Sequence, residues 1–314
     1  MPAPNSSADP CPLCRQATVL VERIAVDDLD AEYVRQMQIS VKREFPASVR
    51  ELRWLECTTC GLGHFAPLTA GSSDFYASLA ARPDYYTTDR WEFGEVAARL
   101  QPEADLVDVG CGDGVFLRLA PSLRKRGLEF NPEASARGRA GGLDIAQAPL
   151  DRLEPHSADV VTAFQVIEHV DCPAAFLADA VRVLRPGGRL FLSAPDEDAY
   201  IGSALHDPLN APPHHLLRWR DRALRQLEHL LPLTLVHIDR EPLDPRLLYA
   251  YRRAQAAGVA RLASGGRLPR YRVSRAMTLL RRMLNVAARA AVRLAPRVPS
   301  HAVGPTILAE FRRQ

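Results

Sequence analysis

The run Leu106-Val-Asp-Val-Gly-Cys-Gly-Asp-Gly114 limits the folds open to this chain more than any other segment. A short apolar stretch ends in glycines at 110, 112 and 114, and a helical pattern begins near Asp113. Glycine there lets the backbone turn sharply and approach a ligand with no Cβ between them. A strand, a glycine turn and a helix in that order belong to an open α/β sheet, whose ligands bind at the carboxyl edge. A dinucleotide fingerprint would need a third glycine where Val115 stands, so the spacing suits a cofactor without a pyrophosphate. Glu129, 19 residues beyond Gly110, falls at the expected end of the next strand, where a carboxylate can accept both ribose hydroxyl protons.

The alternation then repeats. A third strand is expected over 143–147, a buried fourth over 159–164, and a helix over 173–184 that Arg185-Pro-Gly-Gly188 stops with a proline and a glycine C-cap. A fifth strand over 189–194, a loop containing Pro212-Pro-His-His215, a helix near 221–230 and a strand near 233–238 follow. This spacing predicts a parallel sheet covered on both faces. Residues 1–70 read as a cysteine-bearing module, 71–244 as the α/β domain, 245–303 as an Arg-rich helical insertion, and 304–314 as a final strand of the sheet.

Three runs in order, Val107-Asp-Val-Gly-Cys-Gly-Asp-Gly114, Phe164-Gln-Val-Ile-Glu-His-Val170 and Val183-Leu-Arg-Pro-Gly-Gly-Arg-Leu190, resemble the signatures of class I S-adenosylmethionine-dependent methyltransferases, over roughly residues 80–240. The resemblance implies a doubly wound, Rossmann-like α/β fold with a seven-stranded sheet whose last strand, over 306–311, is antiparallel. It implies that Gly110 and Gly112 line the methionine moiety of the cofactor, Asp108 supports its amine, and Glu129 holds its ribose. Gln147 and Ala148 stand where related members hold the adenine, without the usual acid, and Gln165 borders cofactor and substrate.

Cys11/Cys14 and Cys57/Cys60 form two Cys-x-x-Cys turns, each presenting two thiolates along one tetrahedral edge, so together they can close a structural four-thiolate zinc site, zinc-ribbon-like in character. The alternatives are four unrelated thiols or a redox pair. The 42 residues between the pairs must fold as an insertion. Cys111 and Cys172 are expected to be small buried thiols. Some sugar C-methyltransferases carry a similar four-cysteine module before an aromatic stretch. Tyr85, Tyr86 and Trp91 fall where such a stretch would cap the cofactor pocket.

Methyl transfer is an in-line displacement that needs a base only when the nucleophile carries a proton. His169, after the fourth strand, and His214 and His215, behind two stiffening prolines after the fifth, lie at the ligand-binding edge. His215 is the preferred base, because it adjoins the helix expected to carry Trp219, and activity is expected to rise through an imidazole ionisation near the usual ~6.5. His169 as a helix-terminal histidine bonded to backbone is the plainer alternative. Some quinone-pathway O-methyltransferases hold a metal with Glu-x-x-Glu-His here, but the first position is Gln165, which argues against a catalytic metal.

No run approaches the roughly 18 uncharged apolar residues of a membrane span. The first ten residues lack the apolar core of a signal peptide, so a reducing cytoplasm is the expected compartment, with peripheral membrane association as an option. Charge is uneven: residues 245–314 carry 15 arginines against the single acid Glu310, whereas residues 1–244 carry 25 basic and 36 acidic side chains. The segment 274–295 reads as a basic amphipathic helix, with Arg275, Arg282, Arg289 and Arg293 on one face and Leu280, Met283, Leu284, Ala287, Ala291 and Leu294 opposite. Such a helix suits an anionic membrane interface or packing on its own domain, and packing is the commoner case. The leading reading is an enzyme acting on a small or lipid-linked polar acceptor, a sugar or envelope-glycan intermediate. A ribosomal RNA methyltransferase is the lesser alternative, and a non-catalytic cofactor-binding scaffold is a third.

Overall fold

The structure of the protein, a computed structural model, describes residues 9–82, 89–266 and 268–314. Tyr85 and Tyr86 lie outside the described residues. The strands follow one another as Thr18–Ala25 (β1), Glu51–Cys57 (β2), Gly63–Ala66 (β3), Asp105–Val109 (β4), Arg124–Leu128 (β5), Ile145–Ala146 (β6), Ala158–Phe164 (β7), Leu184–Pro195 (β8), Leu217–Arg218 (β9), Leu233–Pro242 (β10) and Val303–Arg313 (β11). The larger sheet has seven strands in the order β10-β11-β8-β7-β4-β5-β6. Strands β4 to β8 run parallel, and β11 is antiparallel to both β8 and β10. The chain moves outward from β4 through β5 to β6, then reverses to β7 on the other side. In open α/β sheets a reversal of this kind, here at the carboxyl ends of β4 and β7, is where ligands bind.

Side-chain alternation explains why the sheet is covered twice. Val107, Val109, Val161, Ala163, Leu190, Leu192, Ile307 and Phe311 enter one core. Their neighbours Leu106, Val160, Phe164, Phe191 and Leu308 enter the core on the opposite face with Val96, Phe116 and Leu117. The helix Pro173–Val183 ends before the expected glycine cap, because Leu184 is already extended and begins β8. A Cβ on Gly188 would stand 3.0 Å from the Asp159 carbonyl oxygen, so this glycine serves close approach to β7 rather than a helix end. The helix expected near 221–230 is two short pieces, Asp221–Arg225 and Leu227–Leu230.

The smaller sheet is antiparallel, in the order β1-β2-β3-β9, with the helix Val26–Met37 between β1 and β2. Its fourth strand comes from the far side of the sequence. Arg218 in β9 is 3 % exposed, donates from Nη1 to both Glu197 oxygens at 2.9 and 3.1 Å, and lies over the Trp54 ring at 4.3 Å. Arg270 reaches the same carboxylate at 2.8 Å and also lies over Trp54 at 4.3 Å. The Glu22 carboxylate accepts from the backbone N–H groups of Arg270 and Tyr271. Three parts of the chain thus share one buried charge cluster.

The helices Leu248–Ala263 and Arg275–Leu294 lie between β10 and β11, and the second begins at Ser274, whose hydroxyl accepts from Met277 N–H. Met277, Leu284 and Ala288 are its buried residues. Met283 and Leu294, expected on the packed side, are exposed. Among the described residues no helix is long and apolar enough to cross a membrane.

Glu197→Ala would leave Arg218 and Arg270 buried without their counter-charge. The expected cost is on the order of 3–5 kcal/mol, read as a lowered urea midpoint at unchanged slope.

Candidate active site

Strand β4 delivers Asp108 and the glycine turn to the carboxyl edge of the sheet. Gly110, Gly112 and Gly114 all have positive φ, at +68°, +58° and +86°. A Cβ at Gly110 would stand 2.5 Å from Val166 Cγ2, so position 110 excludes any side chain on both backbone and contact grounds. The backbone N–H groups of Gly110 and Cys111 donate to the Leu128 carbonyl, tying the turn to the end of β5. Just beyond, Glu129 Oε2 accepts from Gly112 N–H at 2.8 Å and Oε1 from Asn131 N–H at 2.7 Å. Both oxygens are fixed by backbone and keep lone-pair capacity for further donors.

Asp108 lies beneath the turn, buried, and accepts from the Thr162 hydroxyl at 2.7 Å. Burial pushes its carboxyl up to about 7, against the pull of that hydroxyl. Gln165, at the end of β7, holds φ +54° and donates from Nε2 to the buried Glu92 at 3.2 Å. Glu92 belongs to the helix Trp91–Ala97, which also carries Trp91, so that helix closes over the end of β7. Gln147 and Ala148 follow β6, exposed and half-buried respectively. Nothing in the sequence pattern singles out Phe130. It is 71 % exposed, an apolar face next to Glu129 with no core to join.

The histidines depart most from expectation. His169, His214 and His215 come together, with one ring nitrogen of each within 4.8 Å of the others. His214 and His215 stack at 4.4 Å between centroids, and His169 packs edge-on against both. His169 Nδ1 lies 2.6 Å from the His214 carbonyl, His214 Nδ1 2.8 Å from the Leu209 carbonyl, and His215 Nδ1 3.2 Å from Asn210 Oδ1. His169 sits in a turn rather than at a helix end. His215 runs into β9, and Trp219 lies before the helix Asp221–Arg225 rather than within one. Burial pushes His169 down to about 4 and His214 to about 3, and drives His215 well below its ordinary value. Burial thus sets all three rings below the ~6.5 of an unperturbed imidazole. Glu168 stands beside His169 in the Phe164–Val170 run, and its burial is what the sequence does not show. It is 1 % exposed, and burial raises its carboxyl to about 8.

The four module cysteines also converge. Sγ–Sγ separations are 3.6 Å for Cys11/Cys60, 3.4 Å for Cys14/Cys57 and 3.6 Å for Cys14/Cys60. Four sulfurs about 2.3 Å from a common centre stand about 3.8 Å apart, so these separations fit a tetrahedral site. The Thr59 and Cys60 N–H groups point at Cys57 Sγ, as suits a thiolate. Cys111 is buried as expected, but Cys172 is exposed.

Residues 92–238 match the family described as "Methyltransferase domain". Over those residues the chain is similar to methyltransferase domains, on the Rossmann-like seven-stranded sheet described above. A 98-residue stretch is 38% identical to a probable S-adenosylmethionine-dependent methyltransferase of Mycolicibacterium smegmatis, covering 29% of this chain and 38% of that protein. A 103-residue stretch is 32% identical to the ubiquinone biosynthesis O-methyltransferase of Burkholderia thailandensis, covering 29% and 44%. A 111-residue stretch is 37% identical to an uncharacterized 37.1 kDa protein in a Streptomyces fradiae transposon, covering 32% of each. The chain thus spans less than half the length of these curated relatives. Among solved structures, a chain from the complex between the Haloferax volcanii Trm112 methyltransferase activator and the putative methyltransferase superposes with a TM-score of 0.51 at 18% identity, covering 78% of this chain and 99% of that one. That likeness concerns the fold alone. The matched range contains Asp108, the glycine turn, Glu129, Gln165 and all three histidines.

Gly110→Val and Glu129→Ala are each expected to abolish detectable S-adenosylmethionine binding by calorimetry, with Glu129→Ala retaining the wild-type circular dichroism spectrum. Unchanged affinity in a folded Glu129→Ala protein would remove the ribose assignment.

Proposed function

We propose that the protein transfers the methyl group of S-adenosylmethionine to a small or lipid-linked polar acceptor, with a sugar or envelope-glycan intermediate as the acceptor class. The observation that carries this reading is that the turns after the parallel strands carry two prepared groups: the backbone-anchored Glu129 carboxylate beside the glycine turn after β4, and His169 after β7, clustered with His214, His215 and the buried Glu168. In this reading Glu129 takes the ribose hydroxyls, Gly110 and Gly112 lie against the methionine moiety, and Asp108 pairs with its ammonium. Phe130 offers a face for the adenine near Gln147 and Ala148. Gln165, held by Glu92, separates cofactor from acceptor.

The reaction breaks the S–CH3 bond as the acceptor–CH3 bond forms, so alignment provides most of the rate. A hydroxyl or acidic carbon must also lose its proton, and the histidine cluster with Glu168 is the acceptor-activating centre. The sugar class rests on the resemblance of the four-cysteine module to that of sugar C-methyltransferases. Cys11, Cys14, Cys57 and Cys60 would hold a structural zinc, since four thiolates would fill its coordination and leave no open position.

The helix Arg275–Leu294 supports peripheral contact with an anionic lipid surface as a secondary feature. Besides its packed side it exposes Leu279, Met283, Val286 and Leu294, beside Arg275, Arg282, Arg289 and Arg293.

The test is turnover, followed as S-adenosylhomocysteine release with saccharide acceptors. His215→Ala is expected to lower it by roughly 10² to 10⁴ with little change in cofactor affinity. If His169→Ala loses turnover while His214→Ala and His215→Ala do not, activation lies in the turn after β7 and the paired histidines only shape the acceptor entrance.

A further inference from the structure

A cavity of about 260 Å³ lies where three parts of the chain meet: the helix Val26–Met37, the loop after β8, and the two helices before β11. Gln36, Tyr200, His206, Asp207 and Arg253 form its polar wall. Ala254, Ala257 and Leu284 contribute to the apolar remainder. Asp108, Gly110, Glu129 and Gln165 do not line it, so it is separate from the cofactor edge.

The polar wall is held in place, yet much of its hydrogen-bonding capacity is unused. Gln36 donates from Nε2 to Glu32 Oε2 at 2.9 Å and to the His206 carbonyl at 2.5 Å. Both partners can only accept, which fixes the amide orientation and leaves Oε1 as an acceptor. Arg253 donates from Nε to Asn285 Oδ1 at 3.0 Å. Its two Nη groups and the Tyr200 hydroxyl have no hydrogen-bond partner among the described residues. Tyr251 packs edge-on against the Tyr200 ring at 5.9 Å. Asp207 accepts from the backbone N–H groups of Leu209 and Asn210. Burial works against its charge, and Arg218 and Arg253 favour it. His206 has a left-handed backbone, φ +57°, with its N–H bonded to the Arg270 carbonyl at 2.8 Å. Such a conformation persists away from glycine only where the surroundings impose it. Neither His206 ring nitrogen has a hydrogen-bond partner among the described residues.

This wall selects its ligand by chemistry. Arg253 and Asp207 set opposite charges on it, so neither an anion nor a cation meets a surface of purely complementary sign. Free donors on Arg253 and Tyr200 alternate with acceptors on Gln36 and Asp207, beside apolar side chains. The group that both donates and accepts, and can satisfy each of them, is a hydroxyl. We propose that this cavity binds one neutral sugar ring, a part of the acceptor other than the one that receives the methyl group. The inference rests on the methyl-transfer reading and locates the acceptor's recognition site within it. Asp207 joins the cavity to the histidines. The two residues whose N–H groups it holds, Leu209 and Asn210, are those that face His214 Nδ1 at 2.8 Å and His215 Nδ1 at 3.2 Å. A ring seated here docks on the loop that carries both imidazoles, and binding energy from a non-reacting part of a substrate can orient the part that reacts.

The test titrates the full chain with the methyl glycosides of a hexose, a 6-deoxyhexose, an N-acetylhexosamine and a pentose, followed by saturation-transfer NMR. Inorganic phosphate and a uronic acid serve as charged competitors. At least one neutral glycoside is expected to bind, and neither competitor should displace it. Arg253→Ala and Asp207→Asn should each weaken that binding roughly tenfold or more, the loss of a hydrogen bond to a charged group. Ala250→Trp, which fills the cavity from the helix Leu248–Ala263, should abolish it. No binding by any of the four glycosides overturns the proposal. So does binding that all three variants retain, or displacement by phosphate or the uronic acid. S-adenosylmethionine affinity, measured on the same samples, should be unchanged in the variants and separates the two readings. A chain that binds cofactor and no glycoside loses the sugar site and keeps methyl transfer, whereas one that binds glycoside and no cofactor keeps the site and loses methyl transfer.

Discussion

The buried Arg218 guanidinium is the contact on which the arrangement of this protein depends. It lies in β9, two residues within the matched methyltransferase range that join the smaller sheet instead of the larger one, pairing with Gly63 and His64. Its charge is shared with Glu197, just after β8, and its face is stacked on Trp54 of β2. Against the upward push of burial, Arg218 and Arg270 hold the Glu197 carboxyl below the usual range. Breaking one member of such a group leaves the others charged in an apolar surround, which makes the junction a device for fixing geometry rather than a large net source of stability.

That geometry reaches the site. Arg218 and the Tyr271 hydroxyl both donate to the Asn210 carbonyl, and the Asn210 side chain meets His215 Nδ1. Tyr33 of the smaller domain donates to the Ala211 carbonyl in the same loop. The histidine loop is therefore fastened by residues from the start, middle and end of the chain. Glu129 and the glycine turn need none of this, since they are held by backbone groups of the loops that follow β4 and β5 and by the Leu128 carbonyl.

This division explains what is legible in the sequence. The strands β4, β7 and β8 and the turn at Gly110 can be read there, because apolar runs and glycines at fixed spacing are local signals. The convergence of the cysteine pairs follows from their spacing. Strand β9 is invisible, since two residues carry no periodicity. Arg218 is hidden by composition: with 38 arginines in the chain, none stands out. The histidines can be picked out but their surroundings cannot, because a polar-looking loop gives no sign that Phe75, Tyr76 and Glu168 enclose it. Burial, and with it each pKa, is set by those distant partners.

The most direct test of the central claim, that the β4/β7 edge holds S-adenosylmethionine with its ammonium on Asp108, is the cofactor's affinity as a function of pH, measured by calorimetry. The ammonium pairs with the ionised carboxylate, and in the free protein that carboxyl titrates near 7. Affinity should therefore fall as pH drops below about 7, approaching tenfold per unit, and fall again above about 8 as the cofactor's own amine loses its proton, while Asp108→Asn should bind weakly without the acid-side slope. Absence of binding at every pH would contradict the account, as would an acid-side slope that survives intact in Asp108→Asn.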